Sequence, residues 1–278
     1  MNHKKNYFRF LFLIKVNRIN FILKFLIYLV SSKHKRGHGI HSPFVFNLIQ
    51  HVFGNKQVNT DLIEIKKVRK KLSKSKKIIN LKGFGAGSHY GKSKQKLLGK
   101  IVNISAISKK YGHLLYRLVQ YYKPNTIIEL GTSVGISTMY MAIGSKKSKV
   151  FSIEGEPELV EIARNNIKDM NLDNAELFQS NFDDILPEIL NKSECPLLIY
   201  IDGNHNKDAT LGYFNKIIGN MEHKKILVID DINWSREMNK AWKAIKTDKR
   251  VKVTIDIFKM GLVFFNEGLS KQNYTIKF

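Results

Sequence analysis

From residue 125 onward, five short apolar runs alternate with longer amphipathic ones, and this alternation constrains the fold more than any other feature of the chain. The runs are Thr126–Leu130, Lys149–Glu154, Ala175–Gln179, Leu197–Asp202 and Ile226–Asp230. They are too short for helices and rich in Ile, Leu and Val, whereas the stretches near 136–145, 157–170, 183–191, 207–220 and 235–247 carry apolar residues at helical spacing. Five βα units in succession predict a parallel sheet with helices on both faces. The ending breaks the pattern. VKVTIDIF (251–258) and GLVFF (261–265) are joined only by Lys259 and Met260, a link too short for a crossover helix. The last two of these seven strands are therefore expected as antiparallel neighbours.

Function in such a sheet gathers at the carboxyl ends of its strands. TIIELGTSVGIS (126–137) reads as strand, tight turn and helix start. Gly131 and Gly135 let the backbone approach a ligand where a Cβ would collide, and the helix beyond offers free N–H groups. Glu129 is a carboxylate in an otherwise apolar strand, costly to bury without a partner. The next strand ends in Glu154, placed to hold the hydroxyls of a ribose. Asp202, and Asp230 with Asp231, end two further strands, so several carboxylates are expected along one rim of the sheet. Their mutual repulsion suits a hard divalent cation such as Mg²⁺. Trp234 and Cys195 read as core residues.

Charge divides the chain. Residues 1–110 hold 25 Lys and Arg against two acids, Asp61 and Glu64, while the remainder holds 22 against 21. A basic, mainly helical extension (1–110), with a helix starting at Ser42-Pro43, is thus expected ahead of a near-neutral domain (111–278). An excess of this size fits an anionic membrane surface, reached through residues 1–36, or nucleic acid, the less favoured partner. The apolar segment 7–30 is interrupted by Arg9, Lys15, Arg18 and Lys24. Each would cost about 2.5–3.5 kcal/mol at a bilayer centre, which argues against a span. It reads instead as a helix in a lipid interface or packed on the protein's own body. A signal peptide also fits poorly, and the single cysteine suits a reducing, cytoplasmic setting.

One motif competes for the function. AGSHYGKS (86–93) fits the phosphate-loop pattern, although it begins with Ala86 in place of the usual glycine. A nucleotide-binding NTPase using Ala86–Ser93 is therefore the alternative reading. It leaves Glu129 and Glu154 unexplained, and KIINLKGFG ahead of it is a weak strand. A loop covering the site, with glycines as hinges, is the simpler expectation.

In order along the chain, IIELGTSVGIS, FSIEGEPELVEIARNNI, SNFDDILPEIL, YIDGNHNKDATLGYF and ILVIDDINW resemble the class I S-adenosylmethionine-dependent methyltransferases, nearest to the catechol and caffeoyl-CoA O-methyltransferase group. GHGIHSPFVFNLI and FGAGS resemble the N-terminal signatures of a bacterial branch of that group, and the likeness covers about residues 35–266. It implies a Rossmann-like, doubly wound, mainly parallel seven-stranded sheet with an antiparallel C-terminal hairpin. It also implies that Glu129, Gly131, Ser133 and Ser137 line the methionine part of S-adenosylmethionine, that Glu154 holds its ribose, and that Asn181, Phe182 and Asp183 flank its adenine. Asp202, Asp230 and Asp231 fall on the family's metal ligands, and His205 on the position where relatives carry a catalytic lysine. The chain departs from the family's pattern twice: an Asp-Asn pair is Asp230-Asp231 here, and that lysine is His205. The expected activity is transfer of a methyl group to the oxygen of a small molecule, aided by Mg²⁺ and with His205 as base, and methylation of nucleic acid is the alternative within the same family.

Overall fold

The computed structural model describes residues 21–33, 37–54, 60–83, 95–219 and 225–278. Residues 1–20 and the phosphate-loop-like stretch Ala86–Ser93 lie outside the described residues. All five expected parallel strands form: β3 (Thr126–Leu130), β4 (Lys149–Glu154), β5 (Ala175–Gln179), β6 (Leu197–Ile201) and β7 (Lys225–Ile229). After these come β8 (Val253–Asp256), β9 (Gly261–Phe264) and β10 (Gln272–Thr275). The order across the sheet is β10-β8-β9-β7-β6-β3-β4-β5. β8 and β9 are antiparallel neighbours, joined by the four residues 257–260, too few for a crossover helix. The sheet has one strand more than the seven expected. β10, with sequence QNYT, adds in parallel to β8 and buries only Tyr274 fully, so it carries no apolar signal.

Side chains alternate between the two faces along each strand, and two separate cores result. Ile127, Leu198, Tyr200, Val228 and Leu262 belong to one core. Ile128, Ile199, Ile201, Leu227 and Val263, one residue out of step with them, belong to the other. The first is covered by α4 (Lys109–Tyr122), α5 (Ile136–Gly144) and α6 (Pro157–Asp169). The second lies under α7 (Phe182–Lys192), α8 (Lys207–Gly219) and α9 (Arg236–Thr247). The basic part adds to the first core: α1 (Pro43–Leu48), α2 (Asp61–Ser73) and α3 (Leu98–Ser105) supply Val45, Leu48, Ile65 and Ile101, each with no more than a trace of exposed surface. α1 starts as its sequence directs, with Pro43 in the first turn and Ser42 Oγ accepting from Val45 N.

Residues 21–31 are helical. One side packs on the body of the protein, where Phe21, Phe25 and Tyr28 surround the Phe258 ring at centroid distances of 5.1, 4.9 and 5.3 Å. The other side exposes Ile22, Leu26, Ile27 and Val30. No helix among the described residues is long and apolar enough to cross a membrane. The strand ahead of the phosphate-loop-like stretch, β1 (Ile78–Asn80), pairs with β2 (Gln95–Leu97) in a separate two-stranded sheet. It therefore does not emerge from the parallel sheet as a phosphate-loop strand should.

Candidate active site

The chain runs from β3 through β4 to β5 on one side, then returns to lay β6 and β7 on the other. The connection order reverses between β3 and β6, and a crevice opens at their carboxyl ends. Backbone hydrogen bonds line up the residues past the strand tips: Gly131 N donates to Ile153 O (3.0 Å), Asp202 N to Leu130 O (2.8 Å) and Asp230 N to Ile201 O (2.9 Å). The cavity above them measures about 630 Å³, within the range that takes a cofactor with a small substrate.

Gly131, Ser133 and Glu154 form the wall over β3 and β4. Gly131 has φ +110°, and any Cβ there would run into the Asp202 carbonyl. Gly135, also left-handed at φ +84°, opens α5 with no side-chain cap, so the first N–H groups of that helix stay available. Ser133 takes φ +49°, a strained value for a residue with a side chain. Its N–H donates to Glu154 Oε2 (2.8 Å) while Glu156 N donates to Oε1 (3.0 Å), so Glu154 is fixed at the tip of β4. Burial raises the Glu154 pKa against the pull of these bonds.

Glu129 is fully buried beneath this wall. Its Oε2 accepts from Thr138 Oγ1 and from Ser152 Oγ (2.5 Å). Burial raises its pKa, opposed by the hydroxyls of Ser137, Ser152 and Thr138. Glu129 Oε1 is left without a hydrogen-bond partner, as is Ser133 Oγ. Two buried, unpartnered oxygens beneath a free helix terminus fit the charged amino-acid end of S-adenosylmethionine. Gly135, Ser137, Glu129 and Asp230 do not line the cavity themselves.

Asn181, Phe182 and Asp183 line the far end, at the start of α7. Phe182 is wedged edge-on against Tyr213, with ring centroids 5.7 Å apart, and lies over Gly203, where a Cβ would come within 2.5 Å of the ring. Lys216 binds Asp183 Oδ1 (2.5 Å), and Asn181 Nδ2 donates to Asp184.

Past the tips of β6 and β7, Asp202 and Asp231 face the other half of the cavity. Asp202, His205 and Asp231 each bring one ligand atom within 4.8 Å of the others. Asp230 is the exception to the expected ligand trio. It is 1% exposed, and its Oδ2 meets the Tyr200 hydroxyl (2.9 Å) and Lys259 Nζ (2.5 Å). The same hydroxyl stands 3.1 Å from Asp202 Oδ2, and its single proton serves only one of the two carboxylates at a time. Burial and repulsion from Asp230 push the Asp202 carboxyl well up. Asp230 is pushed up by burial and by Asp231, against the attraction of Lys259. His205 Nε2 lies 3.7 Å from Asp202 Oδ1, and burial lowers the imidazole pKa, which keeps it neutral at pH 7.

Lys259, expected from the sequence only as part of a strand link, completes this half. Its ammonium stands 3.3 Å from Asp231 Oδ1 as well as 2.5 Å from Asp230. Burial pulls its pKa down, but Asp230, Asp231 and Asp202 outweigh that and raise it, so it remains charged. Lys259 thus already sets a cation against Asp230 and Asp231, two of the three acids expected to hold Mg²⁺. Trp234 also departs from expectation: it is 56% exposed at the cavity rim, and the buried tryptophan is Trp242, whose Nε1 donates to Asp256 (2.9 Å). Cys195 is half-buried just ahead of β6.

Residues 128–232 match a family described as a methyltransferase domain. A catechol O-methyltransferase of Niastella koreensis is 27% identical over 130 residues, which cover 46% of this chain and 58% of that one. The chain thus spans less than two thirds of the length of this relative. Among solved structures, an O-methyltransferase from Bacillus cereus in complex with S-adenosylhomocysteine matches at TM-score 0.53 and 21% identity, over 77% of this chain and 96% of that one. TomG from Streptomyces achromogenes, an O-methyltransferase in complex with S-adenosylmethionine, matches at TM-score 0.56 and 15% identity, over 76% and 91%. Residues 128–232 are thus similar to a methyltransferase domain, and the chain resembles the class I S-adenosylmethionine-dependent methyltransferases of the catechol and caffeoyl-CoA O-methyltransferase group.

Proposed function

We propose that the protein transfers a methyl group from S-adenosylmethionine to a hydroxyl oxygen of a small molecule. The observation that carries this reading is the pair of unpartnered oxygens, Glu129 Oε1 and Ser133 Oγ, buried beside a wall that ends in the fixed carboxylate of Glu154. Gly131 and Ser133, backed by buried Glu129 and the α5 N-terminus, would hold the amino-acid end of the cofactor, Glu154 its ribose hydroxyls, and Asn181, Phe182 and Asp183 its adenine. When bound, S-adenosylmethionine supplies an electrophilic methyl group on a sulfonium. The rest of the work is positioning and proton removal. Asp202, His205 and Asp231 face the acceptor half of the cavity, and His205, kept neutral by burial, can take the acceptor's proton. Trp234 at the rim offers a flat wall to an aromatic acceptor.

The test is incubation of the full chain with methyl-labelled S-adenosylmethionine and 3,4-dihydroxybenzoate, a plain vicinal diol. Label in the methoxy product supports the reading, and an acceptor panel of phenols, diols and RNA without any labelled product contradicts it. The exposed apolar side of residues 21–31, together with the basic charge of residues 1–110, favours an anionic lipid surface as the place where this chemistry occurs. Co-sedimentation with phosphatidylglycerol vesicles, lost in high salt, checks that part.

A further inference from the structure

We propose that Lys259 is the resident cation of this site: its ammonium pairs with two of the three acids expected as metal ligands, Asp230 and Asp231, and the enzyme works without a divalent metal. The inference rests on the methyltransferase reading only for the identity of the reaction. Its geometry is independent of that reading.

A rim that gathers Asp202, Asp230 and Asp231 needs positive charge to be stable. The structure provides that charge from the protein itself. Lys259 Nζ contacts Asp230 and Asp231 directly, at 2.5 and 3.3 Å, and lines the cavity that Asp202 and His205 also face. The Tyr111 ring, 5.7 Å from the ammonium, adds a face that suits a cation.

The lysine is held in place by its backbone. It lies in the tight link between β8 and β9, where Lys259 N donates to Ile257 O (2.9 Å) and Ile257 N to Met260 O (3.0 Å). The Lys259 carbonyl accepts from Ile232 N (3.1 Å), the residue next to Asp231, which ties the turn to the acidic loop. Phe258 N donates to Asp256 Oδ1 (2.8 Å) and Phe258 O accepts from Asn233 Nδ2 (2.9 Å). The Phe258 ring is gripped by Phe21, Phe25 and Tyr28. An anchored turn of this kind delivers an ammonium to one place, as a bound ion would be delivered by its ligands.

The exchange has a chemical consequence. A divalent cation favours acceptors that offer two adjacent oxygens to its coordination sphere, whereas the Lys259 ammonium has three donors and, with two directed at Asp230 and Asp231, one left for a single acceptor oxygen. The substrate class that follows includes lone hydroxyls, with no demand for a vicinal diol.

The experiment is Mn²⁺ uptake by the full chain, followed through the electron paramagnetic resonance signal of the free ion, for the wild type, Lys259→Met and Lys259→Ala. S-adenosylmethionine binding by calorimetry is run on all three, and equal binding shows that the variants are folded. The expected result is one Mn²⁺ site per chain in each folded variant and no stoichiometric site in the wild type, any residual wild-type binding being at least about tenfold weaker. Equal uptake by wild type and variants, or uptake by none of them, would overturn the proposal. Failure of the wild type to bind S-adenosylmethionine would instead count against the methyltransferase reading and leave the Mn²⁺ result to stand separately.

Discussion

The backbone N–H of Ser133 donates to Glu154 Oε2 at 2.8 Å, joining the glycine turn after β3 to the tip of β4. One carboxylate thereby holds a strained residue at φ +49° and presents itself to the cavity. Glu154→Ala removes the acceptor for two backbone donors together with the group proposed to hold a ribose. Hydrogen bonds to a charged group contribute about 1.5–3 kcal/mol each, so S-adenosylmethionine binding is expected to weaken at least about tenfold. Calorimetric titration of Glu154→Ala and Glu154→Gln checks it, and the glutamine variant should recover only part of the affinity.

Glu129 yields a prediction of opposite sign for stability and for binding. Burial raises its pKa, so the folded state holds this proton more firmly than the unfolded chain does. The stability that the protonated carboxyl contributes is complete below its ordinary value of 4.5 and is lost as pH rises through the raised folded value. Glu129→Gln therefore raises the melting temperature of the ligand-free protein at pH 7 by about 2–4 °C for each kcal/mol relieved, and the gain fades towards pH 4.5. The same variant binds S-adenosylmethionine more weakly. Melting curves from pH 4.5 to 8 for both proteins decide the sign.

Trp234 should matter to the acceptor and to little else. It is 56% exposed, so Trp234→Ala is expected to change stability by no more than about 0.5 kcal/mol. Its effect should fall on KM for an aromatic acceptor such as 3,4-dihydroxybenzoate, with cofactor affinity unchanged. A loss of cofactor binding in this variant contradicts that placement.

Gly261 is a packing constraint in the second core. A Cβ at this first residue of β9 would stand 2.5 Å from Trp242 Cη2, and Trp242 is itself fixed through Asp256. Gly261→Ala is expected to destabilise the fold by about 1–3 kcal/mol, the usual range for overpacking a filled core. Urea unfolding followed by tryptophan fluorescence measures it.

The parallel sheet was legible because its strands are buried on both faces: every residue of β3, β6 and β7 is buried, and continuous apolar runs of that kind have few other uses. The same regularity put Asp202 and Asp230 just past the tips of β6 and β7, where a residue has little choice of position, although Asp230 turns out not to line the cavity. β10 was invisible because QNYT pairs through its backbone at an edge and buries little. Lys259 was invisible for a different reason. It reaches Asp230 across 29 residues from a turn whose sequence shows only that it is short. Tyr200 could have been found, since it stands two residues before Asp202 and so on the same face of β6. Trp234 was misjudged because Ile232, two residues earlier in the same loop, points inward while Trp234 points out, and local composition does not tell the two apart.

The central claim is that the cavity over β3 and β4 holds S-adenosylmethionine. Calorimetric titration of the purified chain with that cofactor, beside an identical titration with ATP, tests it most directly. The account predicts one molecule of S-adenosylmethionine bound per chain, weakened in Glu154→Ala, and no heat from ATP. Silence with S-adenosylmethionine and saturable binding of ATP would contradict it.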